Sequence, residues 1–269
     1  MLRGMAIAVF LASVVSVGST SFTNQLAEEG RLRSLTADTV HSRLDAYDVV
    51  VRMDTTSRNI YFVFSADSMF EGAPAALDAL AERNMCASFF FTGNFLRDSL
   101  NAPIIRRVIR EGHYVGPHSD RHILLADWDR SRTPLVTADS LAKDLRANFA
   151  ELSRFGIRPE DVPYALPPFE WCSRQQAHVY RGLGIMPVNP TPELETYRDY
   201  TTPDMPEYRS SRQMLDQLFG YEAARGLNGA IIILHLGTQD VRTDKLYFHL
   251  PAILDSLTSR GYVPVPLPR

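Results

Sequence analysis

A run of five consecutive apolar residues, Ala230, Ile231, Ile232, Ile233 and Leu234, closed by His235, limits the folds open to this chain more than any other feature. A strand with one wet face alternates apolar and polar side chains. An unbroken apolar run needs cover on both faces, as in a parallel sheet flanked by helices. Shorter runs of the same kind recur, separated by helix-length segments. The pattern predicts strands over Ile60–Phe64, Cys86–Phe91, Tyr114–Pro117, Val162–Leu166, Ile185–Val188, Ala230–His235 and Tyr262–Val265. It predicts helices over Ala73–Arg83, Pro103–Arg110, Ala138–Arg154, Ser173–Gly182, Ser211–Arg225 and Asp244–Arg260. Thr137 and Ser211 stand at helix starts, and Gly156 and Gly261 follow helix ends. Alternation of this kind points to a (β/α) barrel in one domain, residues 60–269. Residues 22–59 read as a polar, irregular N-terminal extension with one helical candidate, Leu26–Leu44.

The first 21 residues read as a signal peptide: Arg3 is the positive start, Met5 to Val17 the apolar stretch, and Gly18, Ser19 and Ser21 the small residues at the cleavage region. No cysteine stands there for lipid attachment. The apolar stretch is shorter than the roughly 20 residues a span requires. The expectation is export, to the periplasm or outside, without stable membrane insertion after cleavage; the alternative is an uncleaved N-terminal anchor. A net charge of −3 with no basic run or basic–aromatic alternation argues against a nucleic-acid partner. Cys86 and Cys172 are too few for a disulfide-framed scaffold; one bridge is open to them in an oxidising compartment, and a buried free thiol is the reading favoured for Cys86.

In barrels of parallel strands, chemistry gathers at the carboxyl ends of the strands. The polar residues there are Asp67, Gly93 with Asn94, His118 to His122, Glu170 and His235. His118 and His122 are four apart and point the same way if the chain makes a helical turn after the strand. Neutral imidazoles are common ligands of zinc and related ions, and Asp67 supplies a third donor with a negative charge. Three protein ligands with an open position make the pattern of a catalytic metal. The other reading of such a pair is two unrelated surface histidines.

The run from Gly112 to His122 (sequence GHYVGPHSDRH) resembles the second motif of the polysaccharide deacetylases with a NodB-homology domain, carbohydrate esterase family 4. Ala87 to Gly93 resembles the strand and glycine before it, Ala165 to Phe169 the third motif, and Leu234 with His235 the fifth. The resemblance runs in order over residues 60 to 265. It implies a distorted (β/α)7 barrel holding one divalent ion, zinc or else cobalt, nickel or manganese, through Asp67, His118 and His122. It makes His235 the acid that protonates the leaving amine, and Pro168, Phe169 and Trp171 the walls of a sugar site. An aspartate from the fourth motif orients the histidine in that family; here Asp199 and Asp204 both qualify.

Two positions depart from the pattern. The family opens with paired aspartates, the first a base; aligned through Ala87 to Phe89, that base falls on Ala66, which accepts no proton. The arginine that pairs with it falls on Leu166. Losing both is coherent, because a buried guanidinium left alone is costly. Glu170 is the candidate replacement base, with Asp120, or the metal's hydroxide unaided, as alternatives; otherwise Glu170 is a solvated loop carboxylate or a helix cap near Ser173. Trp128 reads as packing, and Arg242, Asp244 and Lys245 as a helix cap with solvated charges. The resulting expectation is a metal-dependent hydrolase acting on carbon–nitrogen bonds, removing acetyl groups from an N-acetylated polysaccharide or peptidoglycan. O-acetylated glycans, such as wall acetates, are the lesser option, and a non-catalytic carbohydrate-binding protein that keeps barrel and metal is the rival.

Overall fold

The computed structural model describes residues 41–269. Strands β1 (Arg43–Leu44) and β2 (Val50–Arg52) precede β3 (Asn59–Ala66), α1 (Ala73–Ala81), β4 (Ser88–Phe91), α2 (Gly93–Arg97), α3 (Ala102–Arg110) and β5 (Tyr114–Pro117). Then follow α4 (Ala138–Ser153), β6 (Tyr164–Ala165), α5 (Arg174–Gly182), β7 (Met186–Pro187), α6 (Ser211–Arg225), β8 (Ile231–His235), α7 (Leu250–Ser259) and β9 (Val263–Pro264). The central sheet runs β5, β4, β3, β8, all parallel, with β9 also beside β3. Residues Ala230 to Leu234 are fully buried, as a two-faced apolar strand must be.

The wall continues beyond this sheet through single contacts. Leu166 N–H donates to Pro117 O at 3.2 Å, joining β6 to β5, and β6 pairs in parallel with β7. Val50 bridges Val188, and Arg52 bridges Ala230, so β2 fills the gap between β7 and β8. The circuit is a distorted (β/α) barrel. Its irregular side coincides with Pro163, Pro167 and Pro187, which offer no N–H to a ladder and cut the expected Val162–Leu166 and Ile185–Val188 strands to two residues each.

Several boundaries differ from expectation. The stretch before Asn59 is not irregular throughout: Arg43–Leu44 lie in a strand rather than a helix, and Val49, Val50 and Met53 join the core. The signal peptide and the remainder of the expected Leu26–Leu44 helix lie outside the described residues. The fourth strand begins at Ser88 because the Ala87 N–H goes to His113 Nδ1 at 3.1 Å. The last helix starts at Leu250, after a 3₁₀ turn, because Pro251 fits only the first turn. Among the described residues no helix is long and apolar enough to cross a membrane. Both cysteines are free, Cys172 buried and Cys86 half-buried.

Candidate active site

Register brings the strand ends level: Ser65 lies opposite His235, Ala66 opposite Phe91, and Phe91 opposite Pro117. The residues that follow therefore open onto one cleft of about 790 Å³, whose walls include Asp67, His118, His122, Glu170 and His235.

His118 leaves β5 and is buried. Its Nδ1–H donates to Leu166 O at 2.8 Å, which leaves Nε2 as an acceptor. His122 Nε2 stands 3.2 Å from it. No helical turn produces this meeting. Ser119 and His122 instead adopt left-handed conformations, φ 72° and 51°, and fold the loop back on itself. Such backbone costs of order 1–3 kcal/mol per residue and concentrates at functional sites. Burial, reinforced by His122, holds His118 well below the ordinary imidazole range. Burial also lowers His122, against the opposing pull of Asp67. Both rings are thus kept neutral.

Two neutral rings whose Nε2 atoms stand this close can share a proton or a metal cation. A separation of 3.2 Å suits two ligands of one tetrahedral ion with bonds of about 2.0–2.1 Å. Asp67 stands on the same cleft, its Oδ1 accepting from Thr92 Oγ1 at 2.9 Å and Asn94 Nδ2 at 3.2 Å. Among the described residues no three His, Cys, Asp or Glu side chains are set as a group to hold an ion. The two histidines of the expected ligand set meet; Asp67 is held beside them by its hydrogen bonds.

His235 ends β8, and its Nδ1–H donates to Asp199 Oδ1 at 2.6 Å while its backbone N–H donates to Asp199 Oδ2 at 2.8 Å. Asp204 instead accepts from its neighbour Thr202 at 2.5 Å, so Asp199 is the orienting carboxylate. Burial opposes an imidazolium here, but the Asp199 charge outweighs it and, with Glu170, lifts His235 above its ordinary value. Arg242 is not a solvated charge: it is fully buried and donates to Thr201 O (2.7 Å) and Arg209 O (3.0 Å), pinning the loop that carries Asp199. Asp244 and Lys245 are likewise engaged, Asp244 accepting from Ser211 N–H at 2.6 Å and Lys245 donating to Thr238 O at 2.8 Å.

Glu170 lies in a turn in which Phe169 and Glu170 are both left-handed, φ 58° and 51°. Asn189 Nδ2 donates to Glu170 O at 2.7 Å and steadies it. The carboxyl is half-buried and pushed up to about 7, chiefly by burial, with His235 opposing and Asp199 adding to the rise. It is therefore no solvated loop carboxylate, and no cap either, because Ser173 caps α5 in a reciprocal box with Gln176. Asp120, the other candidate base, is buried in an ion pair with Arg97 at 2.6 Å and does not line the cleft. A side chain at Gly93 would run into that carboxylate, which accounts for the glycine.

Phe169 and Trp171 line the cleft, whereas Pro168 is buried in the turn behind them and is not among its lining residues. Trp128 is 58% exposed on the rim, 5.3 Å from the Trp171 ring and edge-on to Phe169, so it is not packing. Sequence reasoning also missed Tyr200, whose ring stands edge-on to His235 at 5.6 Å, and Thr92, whose position directly after a strand end was a usable signal. Ala66 lines the cleft, and Leu166 is buried, its carbonyl accepting from His118 Nδ1.

Comparison with known proteins gives a consistent picture. Residues 52–169 match the family model described as polysaccharide deacetylase. The chain is 32% identical over 235 residues to the chitooligosaccharide deacetylase of Sinorhizobium fredii, covering 84% of this chain and 98% of that one. It is 33% identical over 131 residues to the peptidoglycan-N-acetylmuramic acid deacetylase PdaA of Bacillus subtilis, a match spanning 48% of this chain and only 45% of PdaA. In structure it resembles a CE4 family pseudoenzyme from Bacillus anthracis, with a TM-score of 0.64 at 12% identity over 91% of this chain and 80% of the other.

Proposed function

Since the chain belongs to the polysaccharide deacetylase family, we propose that it is an active hydrolase, removing acetyl groups from N-acetylated sugars of a polysaccharide or peptidoglycan outside the cytoplasm. One observation carries the reading: Glu170, His235 and the His118–His122 pair line the same cleft, with Glu170 pushed up to about 7 and His235 held above its ordinary value, so that both can exchange protons near neutrality. His118, His122 and Asp67 are the residues that would hold a divalent ion. Such an ion, when bound, supplies Lewis acidity to the acetyl carbonyl and to water.

The chain's own groups do the rest. Glu170 takes the proton of the attacking water, since a carboxyl near 7 is largely ionised only above neutrality and remains a usable base. Water oxygen bonds to the acetyl carbon. As the carbon–nitrogen bond breaks, His235 gives its Nε2 proton to the departing amine, leaving acetate and a free amino sugar. Asp199 fixes the tautomer by holding Nδ1–H. Phe169, Trp171 and Trp128 offer ring faces and edges to the sugars.

A second reading has its own support in Ala66 and in the likeness to a pseudoenzyme: the cleft binds glycan without turning it over. Release of acetate from N-acetylated chito-oligosaccharides with added Zn²⁺ or Co²⁺ decides between the two, and acetyl-xylan in parallel reports O-deacetylation. No acetate from any substrate at any metal would refute the enzymatic reading. Sequencing the N-terminus of the protein recovered from medium or periplasm tests export; an intact Met1 chain in the cytoplasm refutes it.

A further inference from the structure

A second concavity, of about 680 Å³, opens at the amino ends of the strands, on the side of the barrel away from the catalytic cleft. Thr55 and Arg58 line it just before β3, Asn228 before β8 and Tyr262 before β9. Its walls carry His41, Arg43, Arg52, Arg58 and Arg225 and no Asp or Glu, in a chain whose net charge is −3. Of these arginines only Arg225 meets a carboxylate among the described residues, that of Glu193 at 2.6 Å. Asp54, the acid nearest in sequence, is turned to Thr56, accepting from its N–H and its Oγ1 at 2.8 Å each. Arg43 and Arg52 are register partners across β1 and β2, so two like charges stand directly opposite each other, an arrangement that destabilises a strand pair. The buried Arg132 and Arg242 also lack a carboxylate, but they are closed off from solvent and donate to carbonyls.

Arg52 donates from Nε to Asn228 O and from Nη2 to Gly226 O, both at 2.8 Å, and from Nη1 to Tyr221 Oη at 3.2 Å. Arg58 donates from Nε to Gly261 O at 3.0 Å and from Nη2 to Arg260 O at 2.6 Å, with the Tyr262 ring centre 4.4 Å from its guanidinium carbon. Gly226 and Arg260 cap the carboxyl ends of α6 and α7, so capping accounts for where these two side chains point. It does not account for the charge. Each helix end offsets about half a positive charge, which leaves about two of the three on Arg43, Arg52 and Arg58 unmatched. Of the five N–H groups on a guanidinium, Arg52 uses three, Arg58 two and Arg43 none among the described residues. Arg43 and Arg58 are exposed, so their unused donors are open to a ligand. A planar carboxylate fits one guanidinium fork, whereas a tetrahedral phosphate turns oxygens toward several at once. We propose that this pocket is a binding site for a phosphate ester, separate from the deacetylase cleft. A ligand there offsets the repulsion between Arg43 and Arg52 and leaves the cleft open to glycan. Lipid headgroups and soluble esters present the same phosphate, and the test separates them.

The test measures binding in the full chain and needs no turnover. Calorimetric titration with inorganic phosphate and with glycerol phosphate is set against malonate, and co-sedimentation with phosphatidylglycerol vesicles against phosphatidylcholine vesicles. Arg43→Glu reverses the cation that has no internal partner, and Thr55→Asp sets a carboxylate on the exposed wall; neither residue lines the cleft. Arg43→Glu should melt no lower than the parent, since it removes the cross-strand repulsion. Phosphate and glycerol phosphate should each fill one saturable site, weakened about 10-fold or more in both variants. Binding to phosphatidylglycerol vesicles that is lost in both variants assigns the site to a lipid headgroup; binding of the soluble probes alone assigns it to a free ester. No saturable binding of any phosphate probe, malonate binding as tightly as phosphate, or affinities unchanged in both variants overturns the proposal. If Arg43→Glu fails to fold, Thr55→Asp decides alone.

Discussion

Glu170→Gln should make the protein more stable and nearly inactive at once. The carboxyl is lifted from 4.5 to about 7, mainly by burial. Between those values the folded chain holds a proton that the unfolded chain has released, so stability falls as pH rises through that window. Above pH 8 the accumulated cost of ionising Glu170 in place is about 3 kcal/mol. Gln keeps the shape and does not titrate, although burying its amide returns part of the gain. The variant should therefore match the parent near pH 4.5 and exceed it by about 2 kcal/mol at pH 8.5, or roughly 4–8 °C in Tm for a domain of this size. Calorimetry at the two pH values reads the difference. Over the same range the parent's kcat/KM should rise through about pH 7 as Glu170 loses its proton, whereas the variant should show no such limb and a rate lower by about 10²-fold or more. A Tm difference independent of pH refutes the burial argument. Parental activity in Glu170→Gln refutes the base.

Asp199→Asn removes the charge that raises His235, so the alkaline limb of the pH–rate profile, where His235 loses its proton, should move to lower pH with a fall in kcat; an unmoved limb contradicts the orienting role. Purified parent should carry about one divalent ion by elemental analysis, lost in the His118→Ala, His122→Ala double variant and kept in His235→Ala; retention by the double variant refutes the ligand assignment. Ala66→Asp places a second carboxylate on the cleft floor and should lower activity at neutral pH by lifting Glu170 further. A large gain of activity from an inactive parent would instead identify the chain as a binding protein.

The barrel is legible in the sequence wherever burial acts on a whole element. Ala230 to Leu234 must be covered on both faces, and α4 announces itself through Thr137 at its cap, whereas the cap of α6 is Ser210, one residue before the Ser211 to which the sequence points. Strands of two or three residues carry no period, which hides β1 and β2 and with them the closure of the wall. The site is legible to the extent that a strand end locates it: Asp67, His118, Glu170 and His235 each follow from position alone. What brings His122 to His118 is the left-handed backbone at Ser119 and His122, and a residue type alone does not locate such a turn. Arg132 is silent for a related reason. An arginine in the polar run Asp129 to Thr133, two residues after Arg130, reads as a surface charge until Tyr47 and Trp171, distant in sequence, close over it.

The two departures at Ala66 and Leu166 bear on each other through electrostatics. A carboxylate at position 66 would stand on the cleft beside Asp67, and Glu170 already feels the charge of Asp199. Another negative group would push Glu170 above neutrality and leave it protonated, unfit as a base. Ala66 removes that group. The apolar side chain at Leu166 removes the cation that the missing carboxylate would have balanced, and its buried carbonyl still orients His118. Each change alone would leave a buried charge unmatched; together they remove one carboxylate and one cation from the strand ends, and leave on the cleft a carboxyl near 7 and a histidine held by Asp199. A base at Glu170 would also sit on the left-handed backbone of Phe169 and Glu170, a strain that Glu170→Gln leaves in place, so the stability gained by that variant isolates the cost of ionising the buried carboxyl.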